Sequence, residues 1–232
     1  MTIKLNSLFY CHWIITMSSP IPSAPPAPSV IFNHHRHSLR ADCDPDKVVR
    51  ETVTRIHDTP LSPTGIARIH EKGAPPTQYI WSSDLWRCIE TAVELQKYNG
   101  GVIIIDGQLG EVRHPKVLKR PIEEFDVLDD DEVRKLTQNF IRLDPPEIRE
   151  ETQGLGGSAD ARYRGALTRI GDWCINRKVT EVTVISHGDS LASLAAMCNK
   201  EIYSADEFGQ ITAIYNGTWT YKSSRDVGIM DL

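Results

Sequence analysis

Val30-Ile31-Phe32-Asn33-His34-His35-Arg36-His37-Ser38-Leu39-Arg40 runs from a short apolar segment straight into a cluster of histidines and arginines. Val30 to Phe32 has the β-branched and aromatic character of a buried strand. A strand that ends on such side chains delivers them to the carboxyl end of a sheet, where ligands bind in α/β folds. Three more strands of this kind, each with polar groups just past its end, decide the fold.

Asp58 to Gly65 is turn chemistry punctuated by Pro60 and Pro63. Ser62 is set to cap a helix with Pro63 at its first position and Gly73 near its end. Tyr79 to Trp81 reads as the second strand. From Asp84 a helix runs with Leu85, Ile89, Ala92 and Val93 on one stripe, and Asn99-Gly100-Gly101 stops it. Val102 to Ile105 is a third strand. Residues 112–157 carry several prolines and little periodicity, and read as an insertion with one helix near Asp131 to Ile141. A helix from Ala161 to Asn176, a strand from Val182 to Ile185 and a helix from Asp189 to Cys198 complete the pattern. Gln210 to Tyr221, turning at Asn216-Gly217, reads as a hairpin at the end of the sheet. Strands alternating with helices predict a single α/β domain, residues 30–232, with a mainly parallel sheet and helices on both faces.

Such a sheet brings the groups past its strand ends together. Arg36, His37 and Arg40 lie past the first strand, Arg87 past the second, Glu111 past the third and His187 past the fourth. Three guanidinium groups are fitted to hold a phosphoryl group by its equatorial oxygens. An imidazole kept neutral by neighbouring arginines is fitted to attack in line. A second imidazole, when protonated, can donate to the phosphate. A carboxyl group can protonate a leaving oxygen and then take a proton from water. The expected set is therefore catalytic His37, Glu111 and His187, with Arg36, Arg40 and Arg87 binding phosphate. No metal and no cofactor is expected, because the arginines supply the positive charge.

The same residues resemble a known family. Arg36-His37-Ser38-Leu39-Arg40 is similar to the RHG motif of the phosphoglycerate mutase-like histidine phosphatase superfamily. Pro60-Leu61-Ser62-Pro63-Thr64-Gly65 resembles its P-L-[ST]-x-x-G turn. Ser82 to Ala92 resembles its S-[SP]-x-x-R-[AC]-x-x-T-A element, Leu109-Gly110-Glu111 its L-x-E, and Ser186-His187-Gly188 its second catalytic histidine. Within that superfamily Arg40-Ala41-Asp42, Cys88 after Arg87, and Asp58-Thr59-Pro60-Leu61-Ser62 look most like the phosphatase domain of TULA/Sts-type proteins, which are associated with phosphotyrosine and steroid phosphates. The resemblance implies a metal-independent phosphomonoester hydrolase working through a phosphohistidine on His37. The chain departs from the pattern at Ser38, where the family has glycine, which narrows backbone freedom there. The Ser-x-x-Asn run of the mutases is also absent, which argues for hydrolysis. A phosphoglycerate mutase activity, or a weakened relative serving as an interaction module, are the alternatives.

Other readings are less well supported. His34, His35 and His37 suggest a metal cluster, but no matching ligand set appears downstream. Gly188-Asp189-Ser190-Leu191 spells the GDSL signature of serine esterases, yet no histidine comes after His187 to serve that order. His114 is a possible substrate contact.

Composition sets the outer bounds. A chain of 232 residues suits one domain with a substantial core. A formal charge of −5 gives no basic face for nucleic acid. The acidic run Glu123, Glu124, Asp126, Asp129, Asp130, Asp131 and Glu132 reads as a solvated surface segment. The five cysteines (Cys11, Cys43, Cys88, Cys174, Cys198) are odd in number and form no CxxC pair, which fits a reducing, cytoplasmic setting. No apolar run approaches the roughly 20 residues of a membrane helix. Residues 1–29 read as a flexible extension, rich in proline from Pro20 to Pro28. Leu8 to Met17 has flanks too weak for a good signal peptide and reads as part of that extension, with Met17 a natural alternative start. Expected partners are a phosphorylated small molecule or phosphopeptide, with neither nucleic acid nor membrane; a homodimer is an open option.

Overall fold

The apolar runs form strands because β-branched and aromatic side chains suit a pleated surface covered on both sides. In the computed structural model, which describes residues 27–53, 55, 58–118, 127–143 and 150–232, the strands are β1 (Val30–Arg36), β2 (Tyr79–Ser82), β3 (Val102–Ile105), β4 (Phe140–Arg142), β5 (Glu181–Ser186), β6 (Lys200–Tyr215) and β7 (Trp219–Asp231). They build one sheet in the order β4-β3-β2-β5-β1-β6-β7. The first five are parallel; β6 runs antiparallel to β1, and β7 to β6.

The helices are α1 (Lys47–Glu51), α2 (Pro63–Lys72), α3 (Trp86–Asn99), α4 (Pro115–Leu118), α5 (Asp130–Leu136), α6 (Ser158–Asn176) and α7 (Gly188–Met197). Alternation along each strand divides the core into two layers. Phe32, Trp81, Ile104 and Val184 pack against Leu167 and Ile170 of α6 and Leu191 and Leu194 of α7. Ile80, Ile103, Ile105 and Ile185 face the other way, against Ile69 of α2, Ile89 and Ala92 of α3 and Val133 of α5. The expected α/β architecture, with helices on both faces, is the observed one.

The boundaries differ where distant partners decide them. The helix expected to run to Ile141 ends at Leu136, and the chain returns as β4. Arg142 of β4 donates to Asp130 Oδ1 at 2.6 Å, tying strand to helix. Part of the acidic run is the start of α5: Asp129 and Glu132 form a reciprocal capping box, and the acidic first turn suits the helix dipole. Glu123, Glu124 and Asp126 lie outside the described residues, as do Leu8 to Met17 and most of the extension. The closing hairpin is longer than its alternating segment because bulges interrupt the pattern, with Phe208 and Asp226 at positive φ. Among the described residues no helix is long and apolar enough to cross a membrane.

Candidate active site

β1 ends on Arg36, and the next residue, His37, hydrogen bonds through its amide to Ser186 O of β5 at 2.9 Å. Its carbonyl accepts from the Phe208 amide at 3.1 Å, so the bulge in β6 pins the backbone of this residue. His37 Nδ1 donates to the carbonyl of Ser38 at 2.7 Å. That bond assigns the proton of the neutral ring to Nδ1 and leaves the Nε2 lone pair available. Burial, then the charges of Arg87, His187 and Arg36, hold the His37 pKa well below 6.5, although the Ser38 carbonyl pulls it up.

Ser38 adopts an ordinary negative φ; the residues at positive φ lie elsewhere. Its hydroxyl donates to Gly65 O at 2.8 Å and its amide donates to Thr91 Oγ1 at 3.2 Å. A serine therefore stands where the family has glycine without backbone strain. The close approach is made at Gly65 instead, where an added Cβ would lie 2.3 Å from Leu39 O.

Arg87 sits in the first turn of α3, fully enclosed. Its Nη2 donates to Glu111 Oε2 at 3.2 Å and lies 3.4 Å from His187 Nδ1. Its Nη1 is 3.9 Å from Asp58 Oδ1. Neither Nε nor Nη1 has a hydrogen-bond partner among the described residues. A buried guanidinium with two donors to spare is suited to an anion. Asp58 also accepts the Trp86 amide at 2.7 Å, and so caps α3 from 28 residues upstream. That explains why the helix starts at Trp86 although Leu85, its own cap position, offers no side-chain oxygen. Burial pushes the Asp58 carboxyl up to about 7, against the pull of Arg87 and the Trp86 amide.

His187 occupies the N-terminal cap position of α7 just past the end of β5, and its ring centroid lies 5.3 Å from that of His37. Glu111 Oε2 lies 3.1 Å from its Nδ1, and Ser83 Oγ 3.0 Å from its Nε2. The tautomer that satisfies both carries its proton on Nδ1 and accepts from the Ser83 hydroxyl. Burial lowers the His187 pKa overall, although Glu111 pulls it up. For Glu111 burial acts upward, but His187, Arg87 and His37 together outweigh it and hold the carboxyl well below 4.5.

The structure thus brings His37, Arg87, Glu111 and His187 into one cluster. Arg36 and Arg40 flank it with their guanidinium groups engaged elsewhere. Arg36 Nη1 donates to Ala205 O at 2.7 Å, and Arg40 Nη2 pairs with Asp42 at 2.9 Å and reaches Cys43 Sγ at 3.3 Å. The other histidines diverge, since successive strand residues face opposite ways. His34 meets Ser190 Oγ of α7 at 3.2 Å, and His35 stacks on Phe208 with centroids 4.8 Å apart. Ser190, the serine of the GDSL spelling, is fully buried in that contact. His114 lies 3.7 Å from Glu150. Among the described residues no three His, Cys, Asp or Glu side chains are arranged to hold a metal ion. Asp58 and Thr91 are partners that strand-end reasoning missed. Asp58 is visible only as the acid opening its turn, and Thr91 only as a motif position.

The mainly parallel sheet thus gathers two imidazoles, a buried guanidinium and a carboxylate at its strand ends. The profile of the histidine phosphatase superfamily (branch 1) matches residues 44–220, and the chain belongs to that superfamily. The match begins after Arg36 to Arg40, so the place of His37 rests on its geometry. No curated protein sequence matches the chain. Among solved structures, phosphoglycerate mutase from Bacillus anthracis str. Sterne is similar at TM-score 0.57 and 18% identity, over 85% of this chain and 93% of that one. The ecdysone phosphate phosphatase of Bombix mori, solved with tungstate, is similar at TM-score 0.58 and 13% identity, over 84% and 92%. Mycobacterial hydrolase 1 is similar at TM-score 0.51 and 20% identity, over 84% and 97%. At these identities the likeness is one of fold.

Proposed function

We propose that the chain is a phosphomonoester hydrolase that carries its phosphoryl group on His37 Nε2 and uses no resident metal. The observation that carries this reading is the His37–Ser38 hydrogen bond, which frees Nε2 beside a buried guanidinium with unpaired donors. In the first step Nε2 attacks phosphorus, the P–O bond to the leaving group breaks, and Glu111 supplies the proton that the leaving oxygen takes up. In the second, Glu111 removes a proton from water, the water oxygen attacks phosphorus, and the P–N bond breaks to release phosphate. Arg87 holds the equatorial oxygens throughout, with Arg36 and Arg40 turning inward from the rim.

Glu111 is ionised before substrate arrives, because His187 and Arg87 contact it. A phosphate dianion competes for both partners, and their withdrawal raises the carboxyl pKa toward proton uptake. A divalent cation would have to displace the same two groups from Glu111. The unstrained Ser38 favours a working enzyme over an interaction module. Hydrolysis is favoured over mutase action by the missing Ser-x-x-Asn run. A steroid phosphate, phosphotyrosine or related monoester is the substrate class suggested by the TULA/Sts-like motifs, and an odd number of cysteines without a CxxC pair favours the cytoplasm.

The test is turnover of a panel with and without EDTA: p-nitrophenyl phosphate, a phosphotyrosine peptide, a steroid phosphate and 3-phosphoglycerate. Hydrolysis that survives chelation supports the reading. Loss on chelation with recovery on zinc or manganese, interconversion of phosphoglycerates without net phosphate release, or no turnover at all would each overturn it.

A further inference from the structure

The loop that presents Glu111 has an unusual support. Between Gly107 and Glu111 every backbone carbonyl accepts a hydrogen bond from a side chain. Arg113 Nη2 donates to Gly107 O at 3.0 Å and Ser186 Oγ to Leu109 O at 2.7 Å. Arg162 Nη1 donates to Gln108 O at 2.5 Å and Gly110 O at 3.0 Å, and its Nη2 to Glu111 O at 3.2 Å. Tyr163 Oη also donates to Gly110 O, at 2.7 Å. Arg162 is fixed in turn by Glu151, which takes Nε at 2.5 Å and Nη2 at 2.8 Å. Glu151 Oε2 accepts the Arg113 amide at 2.9 Å, closing the ring on the far side of Glu111. The Arg162 and Glu151 side chains are only 8% and 9% exposed, so water contributes little to holding this loop.

We infer that Arg162 of α6, locked by Glu151, is the positioning residue that sets Glu111 for proton transfer. It touches no reacting atom in the proposed reaction; it acts through the backbone of the residue that does. The planar fork is what the task requires, because one guanidinium spans three carbonyls and a carboxylate at once. An ammonium keeps the charge and the Glu151 contact but cannot reach all of these acceptors together. Proton transfer is sensitive to displacement, since an error of about 1 Å at the reacting groups can cost on the order of 100-fold.

The inference rests on the reading of Glu111 as acid and base, and the experiment separates the two. Arg162→Lys, Arg162→Ala and Tyr163→Phe are compared with the unsubstituted protein on an alkyl phosphate and on p-nitrophenyl phosphate, whose leaving group needs little protonation. Vanadate binding is measured alongside. The expected result for Arg162→Lys is a fall in kcat of about 10- to 100-fold on the alkyl ester, a change under about threefold on the aryl ester, and unchanged vanadate affinity. In a Glu111→Gln background the same substitution should add almost nothing, because the group it positions is gone. Equal losses on both esters, an additive loss in the Glu111→Gln background, or no loss would overturn the positioning role. If Glu111→Gln alone, with Arg162 intact, shows no leaving-group dependence, the underlying reading of Glu111 has failed, and the inference with it. Should Arg162→Ala fail to fold, Arg162→Lys and Tyr163→Phe carry the test.

Discussion

Asp58 Oδ1 lies 3.9 Å from Arg87 Nη1, and both side chains are almost entirely removed from water. This carboxyl fixes the start of α3 through the Trp86 amide while standing beside the guanidinium that faces the site. Its pKa, raised to about 7, makes the pair sensitive to pH.

Because the folded chain holds the Asp58 proton more tightly than the unfolded chain does, its contribution to stability is greatest below the ordinary carboxyl pKa and is lost as pH rises to about 7. Asp58→Asn keeps the acceptor for Trp86 and removes the titration. Relative to the unsubstituted protein, the variant should gain stability between pH 4 and 7, at a slope on the order of 1.4 kcal/mol per pH unit, and level off above that window. Denaturant midpoints across pH give the answer; a difference that is flat with pH contradicts the account.

The buried histidines act in the opposite sense. Burial above all holds His34 and His35 down at about 3, and lowers His37 and His187 as well. Each is neutral in the fold and takes up a proton on unfolding below about pH 6.5, so stability falls as pH drops from 6.5. His35→Phe keeps the stacking on Phe208 and removes one of these groups. At pH 5 it should be more stable than its parent by on the order of 2 kcal/mol, with that advantage shrinking by pH 7.5. Thermal melts at the two values decide; an equal effect at both would contradict it.

Ser38 and Gly65 make reciprocal demands on one contact. Ser38→Gly should retain turnover within a few-fold and lose about 1–2 kcal/mol of stability, from one buried hydrogen bond and added chain freedom. Gly65→Ala places a methyl against Leu39 O and should cost about 1–3 kcal/mol. Paired unfolding and activity measurements on the two variants test this; a large catalytic loss in Ser38→Gly would mean that the hydroxyl has a role in the reaction.

Arg87→Ala should lower kcat/KM by about 100- to 1,000-fold, or about 2.7–4 kcal/mol, and weaken vanadate binding with it. Arg87→Lys should recover only part of either, since a single ammonium cannot replace the fork. Competition assays with vanadate report the binding half; unchanged affinity in Arg87→Ala would remove Arg87 from the phosphate site.

The layered α/β order was legible because β1, β2, β3 and β5 are apolar runs of an unmistakable kind. His37, Arg87, Glu111 and His187 were legible as a group because each stands just past such a run. β4 was not, since three residues without full burial leave no alternation to read. The start of α3 was hidden by a cap contributed from Asp58. Arg162 was invisible for the same reason: it is a charged residue on a helix, and its importance lies in three carbonyls more than 50 residues away. Partners distant in sequence carry no periodic signal.

The central claim is that the phosphoryl group passes through His37, and rapid-quench labelling with a radiolabelled monoester tests it most directly. The account predicts a label that is acid-labile and alkali-stable, as a phosphoramidate is, mapping to His37, absent in His37→Ala and still formed slowly in His187→Ala. Phosphate found on His187 or Ser38, or turnover with no trapped phosphoenzyme at any time point, would contradict it.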